Sequence, residues 1–364
     1  MTTYLLAGGG TAGHVNPLLA VADRLRERDP ADTVLVLGTA EGLESRLVPQ
    51  RGYELLTIPK VPFPRRPNAA ALRFPGRLRA AVDATRAIIR ERSVDVVVGV
   101  GGYAAAPAYL AARAERVPLA IHEANARPGI ANRLGALFTP HVGVAFRGTR
   151  IRSGQWVGMP LRPEIERLDR FAARRDGHAF FGLDASLPTL LVTGGSSGAL
   201  RINETIAQSI TLILGAGWQV VHVTGEYREA IEDPSLPGYH VLRYCDRMDL
   251  ALGVADLSLS RSGTSTVAEV TGLGIASVFV PYPVGNGEQR LNAREAVDAG
   301  GAVLVADRDF TPAWVADHLV PLLRSRATIA EMAARIATVG ALDGTDRMVA
   351  LIDRAAADRR IEQR

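Results

Sequence analysis

Two doubly wound α/β domains are what this 364-residue sequence predicts, on three observations. Short apolar runs rich in Val, Leu and Ile alternate with helical stretches along most of the chain, the pattern of a parallel sheet covered on both faces. Glycine-rich turns occupy equivalent places in the two halves, Gly8-Gly9-Gly10-Thr11-Ala12-Gly13-His14 and Gly194-Gly195-Ser196-Ser197-Gly198-Ala199, about 185 residues apart. Each follows a strand and opens a helix, which leaves backbone N–H groups and the positive end of a helix dipole facing outward for a phosphate. The composition, 47% hydrophobic and 22% charged, lets each half bury a core of its own. The prediction is therefore a pair of Rossmann-like domains facing an interdomain cleft.

The elements follow in order. Strands are predicted at 3–7, 33–37, 94–98 and 119–122, separated by helices such as 17–28, which opens on Asn16-Pro17, and 104–113. Gly158-Met159-Pro160-Leu161-Arg162-Pro163 interrupts the alternation, which places an N-terminal domain over 1–160. A second domain over 161–340 carries strands at 189–193, 219–223, 240–243, 257–260, 278–280 and 303–305. From about Thr328 the chain reads as helical, and the segment 341–364, with a last helix from Met348 to Arg360, is expected to pack back on the first domain.

Bulk properties narrow the function class. Cys245 is the only cysteine, which excludes an internal disulfide and fits a reducing cytosol. The first strand runs straight into its glycine turn and leaves no room for a signal peptide, and no run of about 18 apolar residues suggests a transmembrane helix. Residues 1–163 hold 22 Lys and Arg against 12 Asp and Glu, a net +10, whereas 164–364 hold 20 against 26, a net −6. Within the basic half, residues 60–79 carry Lys60, Arg65, Arg66, Arg73, Arg77 and Arg79 with no acid, interleaved with Val61, Phe63, Leu72, Phe74 and Leu78. An anionic membrane surface attracts such a segment at about 1 kcal/mol per charge, so Arg65, Arg66, Leu72, Arg73, Phe74 and Arg77 form a candidate membrane patch; a solvated arginine-rich surface is the alternative. A nucleic-acid partner is disfavoured, because aromatic residues make up only 5% of the chain and no nucleic-acid motif is present.

Gly8, Gly10 and Gly13 spell G-x-G-x-x-G, formally a dinucleotide fingerprint. A NAD site also requires an acidic residue at the end of the second strand, and here that strand ends Leu37-Gly38-Thr39-Ala40, with Glu41 beyond it. His14 follows the turn; an imidazole of ordinary pKa near 6.5 suits removal of a hydroxyl proton, although a histidine beside glycines also serves as a helix-terminus hydrogen-bonder. Gly101-Gly102-Tyr103 and His122-Glu123-Ala124-Asn125 end the next two strands and are expected to open on the same crevice. In the second half, Arg261-Ser262-Gly263-Thr264-Ser265-Thr266 opens a helix carrying Glu269, a start suited to a diphosphate with a carboxylate for ribose hydroxyls. Gln289 and Asn292, at i and i+3 of a later helix, suit sugar hydroxyls. Asp307-Arg308-Asp309, the one Asp-x-Asp spacing, is expected on a surface loop rather than at a metal.

Taken in order and spacing, Gly8–Pro17, Gly101–Tyr103, His122–Asn125, Gly158–Arg162, Gly194–Ala199, Arg261–Glu269 and Gln289–Asn292 resemble the MurG family. These are transferases that move N-acetylglucosamine from UDP-N-acetylglucosamine to undecaprenyl-diphospho-muramoyl-pentapeptide. The resemblance spans nearly the whole chain. It implies the GT-B fold, no cofactor beyond the donor substrate, no metal, and a peripheral place on the cytoplasmic face of the plasma membrane. It also implies that Thr11, Ala12 and Gly13 line the donor side of the first turn, with Asn125 facing the transferred sugar and Arg162 near the diphosphate. Ser196 would contact phosphate, the backbone at Cys245 the uracil, and Thr264, Ser265, Thr266, Val267, Ala268 and Glu269 the diphosphate and ribose. Gln289 and Asn292 would meet the N-acetylglucosamine hydroxyls, Tyr103 and Glu123 would lie on the acceptor side, and His14 would be the catalytic base. Ala12 stands where the family commonly has glycine, and Glu288 gains no role. The implied reaction is an inverting displacement by the muramoyl 4-hydroxyl; a UDP-N-acetylglucosamine 2-epimerase-like isomerase and a transferase with another lipid acceptor are the alternatives.

Overall fold

The computed structural model describes residues 1–64, 69–225, 236–284 and 286–362. The chain divides into two compact units, one made of Met1–Arg162 with Asp343–Arg364 and the other of Pro163–Leu342.

The first unit is built on seven parallel strands, β1 (Thr3–Gly8), β2 (Thr33–Gly38), β3 (Glu54–Thr57), β4 (Val96–Gly101), β5 (Leu119–Glu123), β6 (Val142–Val144) and β7 (Gly154–Trp156), in the order β3-β2-β1-β4-β5-β6-β7. Leu5 of β1 pairs in register with Leu35 of β2 on one side and Val97 of β4 on the other. The order therefore reverses between β1 and β4, and their C-terminal ends flank the crevice where open parallel sheets bind ligands. Successive side chains of β1 point to opposite faces: Leu6 packs with Leu18, Leu25 and Val36, and Leu5 packs with Leu37, Tyr109 and Ile121. Burial on both faces explains why the central strands are apolar without alternation. The last helix, Gly344–Glu362, covers the Leu6 face with Met348, Leu351 and Ile352 and pairs Asp353 with Arg28 of the first helix at 2.8 Å.

The second unit repeats the plan with six parallel strands, β8 (Thr189–Thr193), β9 (Gln219–Val223), β10 (Tyr239–Leu242), β11 (Ala255–Ser260), β12 (Ala276–Phe279) and β13 (Ala302–Leu304), in the order β10-β9-β8-β11-β12-β13. Its reversal falls between β8 and β11, and Leu190, Val192, Ile206, Leu257, Val278 and Phe310 fill its core.

Three strands escape the sequence reading. β3, β6 and β7 are three or four residues long, and β3 and β7 are half-exposed sheet-edge strands without an apolar run. The first helix begins at Ala12, five residues before the predicted start, so Pro17 lies inside it. Proline near a helix start removes one bond, the one to the Gly13 carbonyl, and the turn already closed on Thr11 tolerates that loss.

Candidate active site

In the first unit the ends of β1 and β4 interlock. Gly9 and Gly10 take φ of +151° and +93°, and Gly101 and Gly102 take +92° and +89°. A Cβ on Gly102 would overlap the Gly9 main chain, so only glycine permits this approach. Thr11 caps the helix Ala12–Arg28 in extended conformation, and its carbonyl accepts the N–H groups of His14 and Val15 at 3.0 Å each. Ala12 is the first helical residue, a position alanine suits. Gly13 and His14 complete the turn.

The His14 ring is half-buried, with Nδ1 3.3 Å from the Thr11 hydroxyl and Nε2 facing Gly101. Burial lowers its pKa below the ordinary 6.5, against the opposing pull of a Gly9 backbone hydrogen bond and the Glu44 charge. The imidazole is therefore neutral at pH 7, the form that accepts a proton. The expectation that the turn's amides stand open to a phosphate needs correction, because the Gly10 N–H donates to Glu44 Oε2 at 2.7 Å. Glu44 opens the helix Glu44–Gln50 and is buried; its Oε1 also accepts the Thr39 N–H at 2.9 Å and hydroxyl at 2.8 Å. Burial pushes this carboxyl up, but the hydrogen bonds from Gly10 and Thr39 outweigh it and hold the pKa below the ordinary range.

The end of β5 also departs from expectation. His122 and Glu123 are 0% and 1% exposed, so Glu123 does not face an acceptor. Its Oε1 accepts the Asn125 N–H at 2.8 Å, and its Oε2 accepts the Gly129 N–H and the Asn132 amide at 2.9 Å each. Asn132 in turn accepts the Tyr109 hydroxyl at 2.7 Å. Burial pushes the Glu123 pKa up, and the hydrogen bonds pull against it. The polar strand end is thus an internal scaffold that shapes the loop holding Asn125, which stays half-exposed. His122 Nε2 donates to the Gly158 carbonyl at 2.9 Å, and burial, with the His14 charge acting in the same direction, drives its pKa down to about 4. Arg162, at the end of that segment, is half-buried. Tyr103 is exposed beside the glycines, with Lys60 Nζ 5.0 Å over its ring.

In the second unit β8 runs into Gly194-Gly195-Ser196-Ser197-Gly198 and then the helix Leu200–Gly215. Gly198 and Gly225, at φ +75° and +108°, sit in loops that approach so closely that a Cβ on Gly198 would overlap the Thr224 carbonyl and one on Gly225 the Gly198 main chain, and Ser196 and Ser197 stay exposed at the tip. The neighbouring loop is braced from within: His222 Nδ1 lies 2.8 Å from the Tyr239 hydroxyl and Nε2 3.2 Å from Asn203 Oδ1, and the Asn203 amide donates to the Thr224 carbonyl at 2.9 Å. Burial drives the His222 pKa down to about 4.

Beside it, β11 turns through Arg261, Ser262 and Gly263 into the helix Thr264–Gly272. Gly263 caps without a side chain, and the Val267 N–H is the first to bond back, to the Gly263 carbonyl at 3.0 Å. The N–H groups of Thr264, Ser265 and Thr266 have no intrahelical acceptor at this positive helix end; Thr264 is buried, and Ser265 and Thr266 are half-buried. Val267 and Ala268 are buried, and Glu269 is 8% exposed one turn on. Arg261 donates to the carbonyls of Val280 at 2.9 Å and Pro281 at 3.1 Å and pairs with Asp307 at 2.6 Å. Asp307 is therefore held by Arg261 at the end of β11 rather than lying on a free surface loop, with Arg201 of the helix Leu200–Gly215 also 3.8 Å away.

Gln289 and Asn292 sit in the short helix Glu288–Asn292. Gln289 is half-buried, and its side-chain oxygen accepts the Tyr282 N–H at 2.9 Å. Asn292, 1% exposed, donates to the Ser262 carbonyl at 3.3 Å; it braces the loop beneath the helix start and leaves no surface for sugar hydroxyls. Glu288 accepts the Asn286 N–H at 3.2 Å, a local cap. Cys245 is half-buried between β10 and the helix Met248–Val254. Among the described residues, no three His, Cys, Asp or Glu side chains group as a metal site would require.

In the basic segment, Arg65 and Arg66 lie outside the described residues. Leu72, Arg73, Phe74 and Arg77 belong to the helix Ala69–Glu91, where Leu72 is 85% exposed. Phe74 stacks edge-on with Phe63 at 5.2 Å, and Arg77 donates to the Lys60 carbonyl at 2.8 Å. No described helix is long and apolar enough to cross a membrane.

A profile of the glycosyltransferase family 28 N-terminal domain matches residues 4–144, and one of the family 28 C-terminal domain matches residues 189–348. A protein of Leifsonia xyli subsp. xyli, named UDP-N-acetylglucosamine--N-acetylmuramyl-(pentapeptide) pyrophosphoryl-undecaprenol N-acetylglucosamine transferase, is 65% identical over 97% of this chain and 98% of its own length. The crystal structure of Acinetobacter baumannii MurG is similar with a TM-score of 0.79 at 28% identity, covering 97% of this chain and 100% of that one. The UDP-GlcNAc 2-epimerase of Neisseria meningitidis, solved bound to UDP-GlcNAc, shares the fold, with a TM-score of 0.68 at 14% identity over 97% of this chain and 100% of that one.

Proposed function

The chain belongs to glycosyltransferase family 28, and from that membership we propose that it moves N-acetylglucosamine from UDP-N-acetylglucosamine to undecaprenyl-diphospho-muramoyl-pentapeptide, a step of peptidoglycan biosynthesis. One observation carries this reading: 65% identity over 97% of the chain to the Leifsonia protein whose name states that transfer. The two sheets, each with a glycine turn at its reversal point, are the pair of Rossmann-like domains of a GT-B enzyme.

In this reading the second unit holds the donor. The helix-start amides of Thr264–Thr266 and the hydroxyls of Ser265 and Thr266, with Ser196 from the neighbouring turn, take the diphosphate. Glu269 takes the ribose, the Cys245 backbone the uracil, and Gln289 the sugar. The first unit supplies Thr11, Gly13 and Asn125 on the donor side, Arg162 near the diphosphate, Tyr103 on the acceptor side, and His14 as base. The muramoyl 4-hydroxyl loses its proton to His14 while its oxygen bonds to the anomeric carbon. The bond from that carbon to the diphosphate breaks, and UDP leaves with the electron pair, stabilised by the helix start and Arg162. No step calls on a metal ion. The helix bearing Leu72 and Arg73 would rest on the anionic cytoplasmic face of the membrane, where the lipid acceptor lies.

The test incubates the protein with UDP-N-acetylglucosamine, with and without the lipid-linked muramoyl-pentapeptide. UDP release that depends on the acceptor is expected. Formation of UDP-N-acetylmannosamine from the donor alone would show an isomerase and overturn the reading.

A further inference from the structure

Glu44 lies outside every role assigned above, yet among the described residues of the first unit no other carboxylate is enclosed by glycines in the same way. Its side chain is walled by glycine: a Cβ placed on Gly9, Gly38 or Gly42 would in each case collide with the Glu44 carboxyl or its stem. These three glycines come from the β1 turn, the end of β2 and the loop after it, so backbone from three segments has closed around one carboxylate. Its oxygens are filled by the Gly10 N–H at 2.7 Å and by the Thr39 N–H and hydroxyl at 2.9 and 2.8 Å.

We propose that Glu44 is a positioning residue for His14, acting through the single peptide group that joins Gly9 to Gly10. The N–H of that peptide points at the carboxylate, and its carbonyl, the Gly9 oxygen, stands on the opposite side against Gly102, next to Gly101, which His14 Nε2 faces. A peptide flanked by two residues at positive φ has few contacts of its own to fix its orientation. The carboxylate fixes it. A charged acceptor on the N–H also polarises the peptide and makes its carbonyl a stronger acceptor for the imidazole N–H. One ring nitrogen of His14 is then held as donor, and the other keeps its lone pair for the incoming hydroxyl proton. The arrangement does the work of a carboxylate–histidine pair with one peptide interposed. The charged and titratable groups facing His14 are Glu44, from the helix after β2, and His122, from β5.

The inference rests on the proposed transfer reaction, and two substitutions separate reach from charge. Glu44→Gln keeps the length and loses the charge, whereas Glu44→Asp keeps the charge and falls one methylene short of Gly10. Both are expected to lower kcat for transfer by about 10- to 100-fold, as a misplaced catalytic group does, with KM for UDP-N-acetylglucosamine within about twofold of wild type. In Glu44→Gln the acid limb of the kcat/KM profile moves to lower pH, because the negative charge that favours protonated His14 is gone; in Glu44→Asp it stays. A loss carried by KM alone, an unmoved acid limb in Glu44→Gln, or wild-type kcat in both variants would overturn the proposal. Ring 15N shifts of His14 in the unmutated protein give a reading that needs no variant to fold and no turnover. A single neutral tautomer is expected, and a near-equal mixture of the two overturns the proposal. If the wild-type protein shows no acceptor-dependent transfer, the functional reading fails, and the tautomer measurement still judges Glu44.

Discussion

At the scale of single residues, burial decides which polar groups can meet a ligand. Glu123 at the end of β5 and Glu269 in the second turn of its helix are both buried, but the first, 1% exposed, spends both oxygens on its own loop, while the second is 8% exposed. Glu269→Ala is expected to weaken UDP binding by roughly 10- to 100-fold, the scale of a lost hydrogen bond to a charged group, measured by calorimetry. An unchanged Kd would contradict the ribose assignment. The two strand-to-helix glycine turns were legible in the sequence because close main-chain approach at positive φ demands glycine there. The bracing roles of Glu44, Tyr109 and Asn132 were not, since an acid in the run Glu41-Gly42-Leu43-Glu44, a tyrosine in an alanine-rich helix and an asparagine in a short helix carry no periodic or motif signal. For Asn292 and Glu123 the sequence gives the residue but not its burial, and burial changed the role.

At the scale of elements, close main-chain approach holds the second turn in place. Gly198→Ala would put a Cβ onto the Thr224 carbonyl at a φ of +75°, so a destabilisation of about 2 kcal/mol or more is expected, read as a fall in melting temperature together with weaker UDP binding. A variant that melts and binds like the wild type would show that the two loops need not touch. The central strands were readable because burial on both faces writes an uninterrupted apolar run, as in Leu190–Val192 and Val96–Val98. β3 and β7 were unreadable for the converse reason: edge strands half in water, such as Gly154-Gln155-Trp156, need no apolar run and are placed by their neighbours. Pro17 misled about the first helix because proline is commonest at a helix start, and here the start is fixed upstream by Thr11. On the basic helix, replacing Leu72, Arg73 and Arg77 together is expected to reduce sedimentation with anionic vesicles at least several-fold, at about 1 kcal/mol per charge removed. Unchanged sedimentation would make that face a solvated surface.

At the scale of the whole molecule, each unit carries a buried neutral histidine, His122 in one and His222 in the other, each with its pKa lowered to about 4. In the unfolded chain both titrate near 6.5, so the unfolded state binds more protons throughout the interval between these values. The stability they contribute is present above pH 6.5 and is lost as the pH falls toward 4, on the order of 3 kcal/mol for each unit. Melting temperature measured from pH 7 to 4 should fall for both units over this window, and a flat profile would contradict the burial of these rings. Function asks more of the molecule than stability does, since the reading divides labour between donor binding on the second unit and proton removal by the first. Its most direct test measures kcat for acceptor-dependent transfer by His14→Ala beside the affinity of that variant for UDP-N-acetylglucosamine. A fall in kcat of about 10²- to 10⁴-fold with affinity unchanged is the predicted result. Wild-type turnover without the imidazole would contradict it.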